Sequence, residues 1–347
     1  LLARKPVFFG VDKRPIHIPQ NSGGELSSKH DASILPPRFG LEFYSQRLGN
    51  REAQVSAQIF SGRTLIVAFE GWNDAAESAS GVVKFICEEI KADVVAAVDP
   101  EDYYDFQFTR PTVSYDTDGS RVLDWPGTEM CIPAPEAIAE NPSVARISVL
   151  VGTEPARRWK SFAAEVMEMV EDREIEAVLF LGAMLADVPH TRPIGVTSTS
   201  QNEVARRELD IERSQYEGPV GILSVLGIEL EKAGIPAVAI WASVPHYVHN
   251  TPSPKATLAL LIEVERLLGV QFEHGKLGEE AFAWERGIDE IAEADEEMAA
   301  YIGQLEKTRD EAESSAATGE SIAMEFEKFL RAENKENPVD AEDSDEI

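Results

Sequence analysis

The stretch TLIVAFEGWNDAAESASGVVKFI, from Thr64 to Ile86, decides the fold of this chain. It opens with a run of apolar residues, 65–69, as a strand covered on both faces requires. A polar turn over residues 70–74 follows. Either Asn73 or Asp74 can cap the helix after it, because a short side-chain oxygen accepts from the free amides of a first helical turn. The turn is therefore expected at the carboxyl end of a strand, where open α/β sheets bind ligands.

The composition excludes several classes of partner. The chain has 347 residues, of which 43% are hydrophobic and 8% aromatic, as is typical of a soluble protein with a core. Lys and Arg number 32 against 62 Asp and Glu, which gives a net charge of -30. So acidic a chain repels phosphate backbones and anionic lipids, and no apolar run approaches the ~20 residues of a membrane helix. We expect neither nucleic acid nor a membrane as partner.

The motif content predicts no cofactor. Cys87 and Cys131 are the only cysteines, and two isolated cysteines make neither a disulfide framework nor a zinc site. With no leader pattern visible, a cytoplasmic location is expected. The sequence contains no G-x-x-x-x-G-K-[ST] phosphate loop, no G-x-G-x-x-G fingerprint and no G-x-S-x-G elbow. We assign no metal ligand and no catalytic residue, and enzymatic activity stays open.

Strand and helix patterns alternate along the middle of the chain, which indicates an α/β fold. Further strands are predicted at residues 94–98, 147–151, 177–181 and 236–244. Helices are predicted at residues 156–173, 202–209, 218–234 and 253–268. An Asp-Gly turn, Asp118-Gly119, predicts a β-hairpin that joins residues 113–115 to 121–125. Gly182 is expected to end the strand at 177–181, as Gly152 ends the one before it.

The composition also suggests four segments. Residues 1–38 are rich in proline, glycine and serine and predict a disordered arm. Residues 39–274 form the α/β core domain. Residues 275–334 read as a helical extension packed on that core, built from amphipathic helices at 277–306 and 314–331, whose apolar stripes must be buried. The acidic end, residues 335–347, predicts a disordered tail.

Polar side chains cluster just after the predicted strands, and we expect them to form one candidate ligand-binding cleft. If these strands are parallel, their carboxyl ends converge on a single edge of the sheet. The cleft comprises Glu70, Asn73, Asp74, Glu154, Arg157, Asp187, His190, Arg192 and His246.

Each of these residues has a structural alternative. Asp74 can cap a helix rather than bind a ligand. Arg157 can hold an anion at a helix start or pair with an acid of this acidic chain. His190 and His246 share a V-P-H pattern and could exchange protons or ligate a metal. They could equally bond the backbone or lie at a subunit interface.

Several spaced motifs resemble the proteasome assembly chaperone 2 (PAC2) family, in its actinobacterial branch. The resemblance covers residues 64–268, and the C-terminal helices are similar to an extension of actinobacterial members. The motifs, in chain order, are GWNDA at 71–75, YYDF at 103–106, RPTV at 110–113, DWPG at 124–127, GTEPARRW at 152–159, LGAMLADVPHTRP at 181–193 and VPHYV at 244–248.

The resemblance implies a three-layer α/β/α domain with a mixed sheet, similar in topology to phosphorylase/hydrolase-like folds. It implies a homo-oligomer, with a trimer favoured, and proteasome subunits as possible partners, without a cofactor or catalysis. The chain ends Asp345-Glu346-Ile347. This differs from the hydrophobic-tyrosine-any ending with which some relatives dock on the proteasome, so docking through that pattern is not expected.

Two functions follow. The first is a non-enzymatic oligomeric protein that acts in interaction or assembly. The alternative is a small-molecule-binding protein or a hydrolase/phosphorylase-like enzyme that uses the cleft, with Arg157 and Arg192 receiving an anion and His190 moving a proton.

Overall fold

The computed structural model of the chain describes residues 57–314. The predicted arm, the first part of the predicted core domain, the helix predicted at 314–331 beyond its first residue, and the acidic tail lie outside these residues. Within the described part no helix is long and apolar enough to cross a membrane. The bounds of the four segments stay predictions.

The described residues form nine strands and eight α-helices. The strands are β1 Thr64–Glu70, β2 Asp93–Val98, β3 Thr112–Tyr115, β4 Arg121–Asp124, β5 Thr128–Ile132, β6 Ile147–Thr153, β7 Ala177–Ala186, β8 Val196–Thr199 and β9 Ala237–Pro245. The helices are α1 Ser78–Glu89, α2 Pro135–Glu140, α3 Trp159–Asp172, α4 Glu203–Leu209, α5 Ile222–Lys232, α6 Pro254–Leu268, α7 Gly275–Glu293 and α8 at residues 296–314.

Seven of the strands form one mixed sheet in the order β2-β5-β6-β1-β7-β9-β8. The four central strands β6, β1, β7 and β9 are parallel, and the strands that flank them run antiparallel to their neighbours. Helices α1 and α6 pack on one face of the sheet, and α3 and α5 pack on the other. Each face has its own apolar cluster. The predicted α/β/α fold with a mixed sheet is therefore confirmed.

The opening stretch folds as its pattern predicts. Residues 64–69 are all buried in the centre of the sheet. Helix α1 then returns along the sheet and passes close to α6. The approach is so close that a Cβ on Gly81 would lie only 2.8 Å from Oγ1 of Thr257. The predicted hairpin is also confirmed as β3 and β4, which pair only with each other in the part of the chain that is described.

Several predicted boundaries are wrong. Strand β6 includes Gly152 and ends at Thr153. Strand β7 does not end at Gly182 but continues to Ala186, because the missing side chain at Gly182 makes room for the ring of Trp241 on β9. The single helix predicted at 277–306 is two helices, α7 and α8. Asp295 separates them: its Oδ1 accepts hydrogen bonds from the amides of Glu297 and Met298, at 3.0 and 3.1 Å, and so caps α8.

Candidate functional site

The predicted site residues lie along one rim of the sheet. Strands β6, β1, β7 and β9 are parallel neighbours, so their carboxyl ends face the same way. Glu154 and Arg157 follow β6, and Asn73 and Asp74 follow β1. Asp187, His190 and Arg192 follow β7, and His246 follows β9. Their hydrogen bonds and ion pairs divide them into separate groups.

The first group centres on residues 71–74, which we call the Asn73 turn. Gly71 adopts a φ of 117°, which favours glycine, and the amide of Asp74 donates to the carbonyl of Gly71 at 3.1 Å. The carbonyl of Asn73 accepts from the amide of Ala183 on β7 at 2.8 Å. The turn is thus attached to the neighbouring strand as well as to its own.

Asp74 caps helix α1, which resolves the choice between Asn73 and Asp74. Its Oδ1 accepts from the amides of Ala79 at 2.7 Å and Ser80 at 3.2 Å. The side chain is only 7% exposed, and Oδ2 has no hydrogen-bond partner among the described residues. Burial raises the pKa of Asp74 to about 6, against the pull of its hydrogen bonds to Ser80 and Ala79.

Asn73 and Glu154 meet at the start of helix α5. Glu154 accepts from the amide of Ile222 at 2.8 Å and so caps α5 from outside the helix. Nδ2 of Asn73 is buried without a partner among the described residues. A Cβ on Gly221 would lie 2.1 Å from that nitrogen and 2.7 Å from Oε1 of Glu154. Only glycine therefore fits at this junction.

Glu70 lies at the outer side of the same group. Its Oε1 is 2.7 Å from the ammonium of Lys84 on α1. Its Oε2 accepts from the hydroxyl of Thr153 at 3.3 Å. Both partners of the ion pair are about one-third exposed, so this contact is a surface feature of the rim.

Arg157 is not bonded to the Asn73 turn and forms a small group of its own. Its guanidinium donates to the carbonyls of Glu101, Asp102 and Tyr104, at 3.2, 3.3 and 3.0 Å. These bonds fix the loop that follows β2 to the start of the segment before α3. In the structure it satisfies backbone oxygens, and its predicted role in holding an anion stays a prediction.

The second large group is the His190 network, formed by His190, Tyr247, Lys255, Glu285 and Asp289. The ring of His190 is 1% exposed. Its Nδ1 lies 2.8 Å from the hydroxyl of Tyr247, and its Nε2 lies 3.0 Å from Oδ1 of Asp289 on α7. Burial lowers the pKa of His190, and the neighbouring Asp289 opposes that shift.

Lys255, on helix α6, completes this network. It is 5% exposed and donates both to the carbonyl of His190 and to the carboxylate of Glu285 on α7. Burial lowers the pKa of its ammonium, while Glu285 acts in the opposite direction. The network therefore ties α7 to the strand ends through one cation and one imidazole.

Arg192 and His246 lie next to α8, the last described helix. Arg192 makes a two-pronged pair with Asp310, at 2.9 and 2.8 Å, and a further bond of 3.1 Å to Glu306. Asp310 raises the pKa of Arg192 through this hydrogen bond. Nδ1 of His246 is 3.2 Å from Oδ1 of the exposed Asp187, although the pair lacks hydrogen-bond geometry.

The predicted cleft is therefore spread over separate groups. No hydrogen bond or ion pair among residues 57–314 joins the Asn73 turn to Arg157 or to the His190 network. Nor do those residues contain a group of three or more His, Cys, Asp or Glu side chains arranged to hold a metal ion. Whether any of the nine residues binds a ligand stays a prediction.

Sequence patterns missed the partners that complete these groups. Lys255, Glu285 and Asp289 lie on helical faces far along the chain from His190, and nothing in their spacing indicates the contact. Gly221 was equally unremarkable in the sequence. Tyr247 was the exception, because it sits inside the VPHYV motif.

The chain is thus an α/β protein with a mixed sheet, polar residues after the ends of its strands and a C-terminal layer of helices. The model of the PAC2 family matches residues 68–292, which is more than half of the chain. The chain therefore belongs to the PAC2 family.

Solved structures of relatives support this assignment. A PAC2 family protein from Streptomyces avermitilis is 42% identical, with a TM-score of 0.61 over 69% of this chain and 99% of that chain. A proteasome-assembly chaperone homologue from Mycobacterium tuberculosis is 38% identical, with a TM-score of 0.60 over the same shares. A Corynebacterium glutamicum protein of unknown function is 26% identical, with a TM-score of 0.65 over 76% of this chain and 96% of that chain. No protein with a curated description matches the chain.

Proposed function

We propose that this protein is a non-enzymatic homo-oligomer that acts as an interaction or assembly factor for proteasome subunits in the cytoplasm. Family membership supports the proposal, as does the 38% identity to a protein described as a proteasome-assembly chaperone homologue. A trimer is the favoured state, as the family resemblance implies.

One observation carries the non-enzymatic half of the proposal: the groups best suited to chemistry are already bound within the chain. Both ring nitrogens of His190 have partners. The guanidinium groups of Arg157 and Arg192 contact backbone carbonyls and carboxylates. Each of these contacts holds one part of the chain to another, so a structural role accounts for these side chains without a substrate.

Purified components test this proposal. The full chain is mixed with unassembled proteasome subunits from an actinobacterium, and complexes are followed by native electrophoresis and light scattering. We expect a complex with unassembled subunits and faster formation of the complete particle. Unchanged assembly kinetics together with no complex would exclude the function. A protein of similar charge and size, such as a serum albumin, serves as the control for acidity alone.

The alternative, a small-molecule site, is favoured by one specific observation. Nδ2 of Asn73 and Oδ2 of Asp74 are buried polar atoms without partners among the described residues, and such atoms often belong to a ligand or water site. A ligand that binds there should raise the melting temperature of the wild-type protein. Asn73→Ala should abolish that rise, whereas Arg157→Lys should keep it. A library of small anions and sugars with no such ligand would remove the alternative.

A further inference from the structure

The turn after β1 leaves a tryptophan open to solvent. The side chain of Trp72 is 72% exposed, although tryptophan is one of the largest apolar side chains. The next residue, Asn73, is held by its carbonyl to the amide of Ala183 on β7, at 2.8 Å. The indole is therefore presented by a turn that is fixed to the sheet.

A carboxylate without a cation lies beside this tryptophan. A Cβ on Gly71 would lie 3.5 Å from Cβ of Glu154 and 4.0 Å from its Oε2, so the Glu154 side chain runs along the turn that carries Trp72. Its Oε1 accepts from the amide of Ile222. Its Oε2 accepts no hydrogen bond within residues 57–314, and no Lys, Arg or His of those residues forms an ion pair with it. One oxygen of this carboxylate is therefore available to a cation from outside.

Two further apolar side chains border the same junction. Met184 follows Ala183, whose amide bonds to Asn73. Val220 precedes Gly221, at which a Cβ would lie 2.1 Å from Nδ2 of Asn73. Side-chain alternation along β7 directs Met184 to the side of the sheet on which α5 begins. Met184 is 46% and Val220 is 44% exposed. We call these side chains together the Trp72 surface: Trp72, Glu154, Met184 and Val220.

The chemistry of the Trp72 surface fits an arginine side chain. The face of an indole attracts a cation, and the planar guanidinium of arginine also stacks on it. A guanidinium that lies on Trp72 can donate a charge-assisted hydrogen bond to Oε2 of Glu154. Apolar residues on either side of that arginine can contact Met184 and Val220. The net charge of -30 adds a general attraction for cationic partners.

A buried amide at the same junction offers a further contact. Asn73 is 6% exposed, and its Nδ2 has no partner among the described residues. Gly221 covers this nitrogen. Residues 214–220, which lead into Gly221, form no hydrogen bond with described residues outside 213–220. A loop held so weakly opens at a low cost in free energy, and once it opens Nδ2 can donate to a peptide carbonyl.

We infer that the Trp72 surface binds a segment of a partner protein in which an arginine lies between apolar residues. This inference rests on the proposed function, in which the chain contacts proteasome subunits, and it specifies the surface and the chemistry of that contact. The guanidinium lies on Trp72 and pairs with Glu154, and the apolar neighbours of the arginine contact Met184 and Val220.

A labelled peptide tests the inference on the full chain. The probe is fluorescein-Gly-Leu-Arg-Leu-Gly-amide, and its binding is measured by fluorescence anisotropy. Trp72→Ala and Glu154→Gln should each weaken binding roughly tenfold. Glu154→Gln keeps an oxygen that can cap α5, and far-UV circular dichroism checks that each variant is folded. The same peptide with citrulline, the neutral isostere of arginine, should bind the wild type at least ~10-fold more weakly.

Matched controls separate this site from a general attraction to an acidic chain. Phe108→Ala removes an aromatic side chain that is 86% exposed in the loop before β3. Glu279→Gln removes an exposed carboxylate of α7. Both variants should keep the wild-type affinity for the peptide. Wild-type affinity in Trp72→Ala, or an equal loss in Glu279→Gln and Glu154→Gln, would overturn the inference.

Complex formation with unassembled proteasome subunits distinguishes this inference from the proposed function. We expect the wild type to form the complex and both variants of the Trp72 surface to form it more weakly. A complex that forms equally well with Trp72→Ala, or a wild type that binds no peptide, overturns the inference and leaves the proposed function standing. A wild type that binds the peptide through Trp72 and Glu154 but forms no complex overturns the proposed function and supports the arginine site.

Discussion

The two halves of the rim bury polar side chains in different ways. In the His190 network every polar group named above has a partner. Glu285 and Asp289 come from helix α7, far away in the sequence, and Tyr247 comes from the turn after β9. In the Asn73 turn the partners are local or one strand away, and two buried atoms are left without any among the described residues. A fully satisfied network rigidifies a fold, whereas unsatisfied buried groups cost stability and often mark a functional position. The first half therefore holds the helical layer, whereas ligand binding by the second half stays a prediction.

The largest effect should come from removing the cation of the His190 network. Lys255→Ala leaves the His190 carbonyl and the Glu285 carboxylate without their shared donor, so we expect the free energy of unfolding to fall by about 3 kcal/mol. Urea denaturation measures it. Lys276→Ala removes an exposed lysine that pairs with Glu280 and should change stability by less than about 0.5 kcal/mol. Equal effects of the two variants would contradict the contrast.

Removing the acid of the same network should have the next largest effect. Asp289→Ala leaves Nε2 of the buried His190 unpaired, which should cost about 2 kcal/mol. Because Asp289 raises the pKa of His190 against burial, the variant should titrate His190 at lower pH, as a proton NMR titration would show.

The sign of the accompanying pH effect follows. The folded-state pKa of His190 lies below its ordinary value, so the unfolded chain binds the proton first, and stability falls as pH drops below ~6.5. The fall should be steeper in Asp289→Ala than in wild type. Glu290→Ala, one residue further along α7, should follow the wild-type curve. Identical pH dependence of Asp289→Ala and wild type would show that the two side chains are not coupled.

The Asn73 turn should respond to pH in the opposite direction. Because the folded-state pKa of Asp74 is raised from 3.8 to about 6, the folded chain binds this proton more tightly than the unfolded chain. The contribution of Asp74 to stability is then largest below pH ~4 and is lost as pH rises through about 6. Asp74→Asn cannot titrate and keeps an oxygen to cap α1.

We expect the stability of wild type relative to Asp74→Asn to decline by up to about 2 kcal/mol between pH 4 and pH 7. Asp74→Ala cannot titrate either and also removes the cap, so it should be about 1 kcal/mol less stable than Asp74→Asn at either pH. Denaturation curves of the three proteins at four pH values measure both effects. Parallel curves for wild type and Asp74→Asn would mean that the side chain is hydrated and that the contrast between the halves is weaker than described.

The smallest effect is expected at the surface of the same rim. Glu70→Gln removes the charge that pairs with Lys84, and a pair this exposed contributes less than about 1 kcal/mol. The loss should shrink further in high salt because exposed charges are screened. A loss as large as that of Lys255→Ala would indicate that Glu70 is part of the buried arrangement after all.

The sequence predicted the fold well because its signals are local. The apolar run at 65–69, the Asp-Gly turn at 118–119 and the Ser253-Pro254 start of α6 each act over a few residues, and all three appear as predicted. Gly182 was misinterpreted because its reason lies on another strand, in the ring of Trp241.

The candidate site was harder to predict from the sequence, because its contacts also join residues that lie far apart along the chain. Glycine and proline positions indicate where strands end, and so they located the rim. They do not indicate that His190 meets Asp289, 99 residues further along, because that contact depends on how α7 packs on the sheet. Residue type suggested that Arg157 holds an anion or pairs with an acid, and it could not indicate that the guanidinium donates to three carbonyls of the loop after β2.

The contact of Gly182 with Trp241 has a consequence for the alignment of the whole parallel sheet. The two residues are direct neighbours in the β7-β9 pairing, and any side chain at 182 would collide with the indole. A shift of β9 by one residue would bring the indole against Leu181 or Ala183 and turn every side chain of the strand to the wrong face. Gly182 therefore favours a single register between β7 and β9. That register determines how far the loops that carry His190 and His246 extend relative to each other.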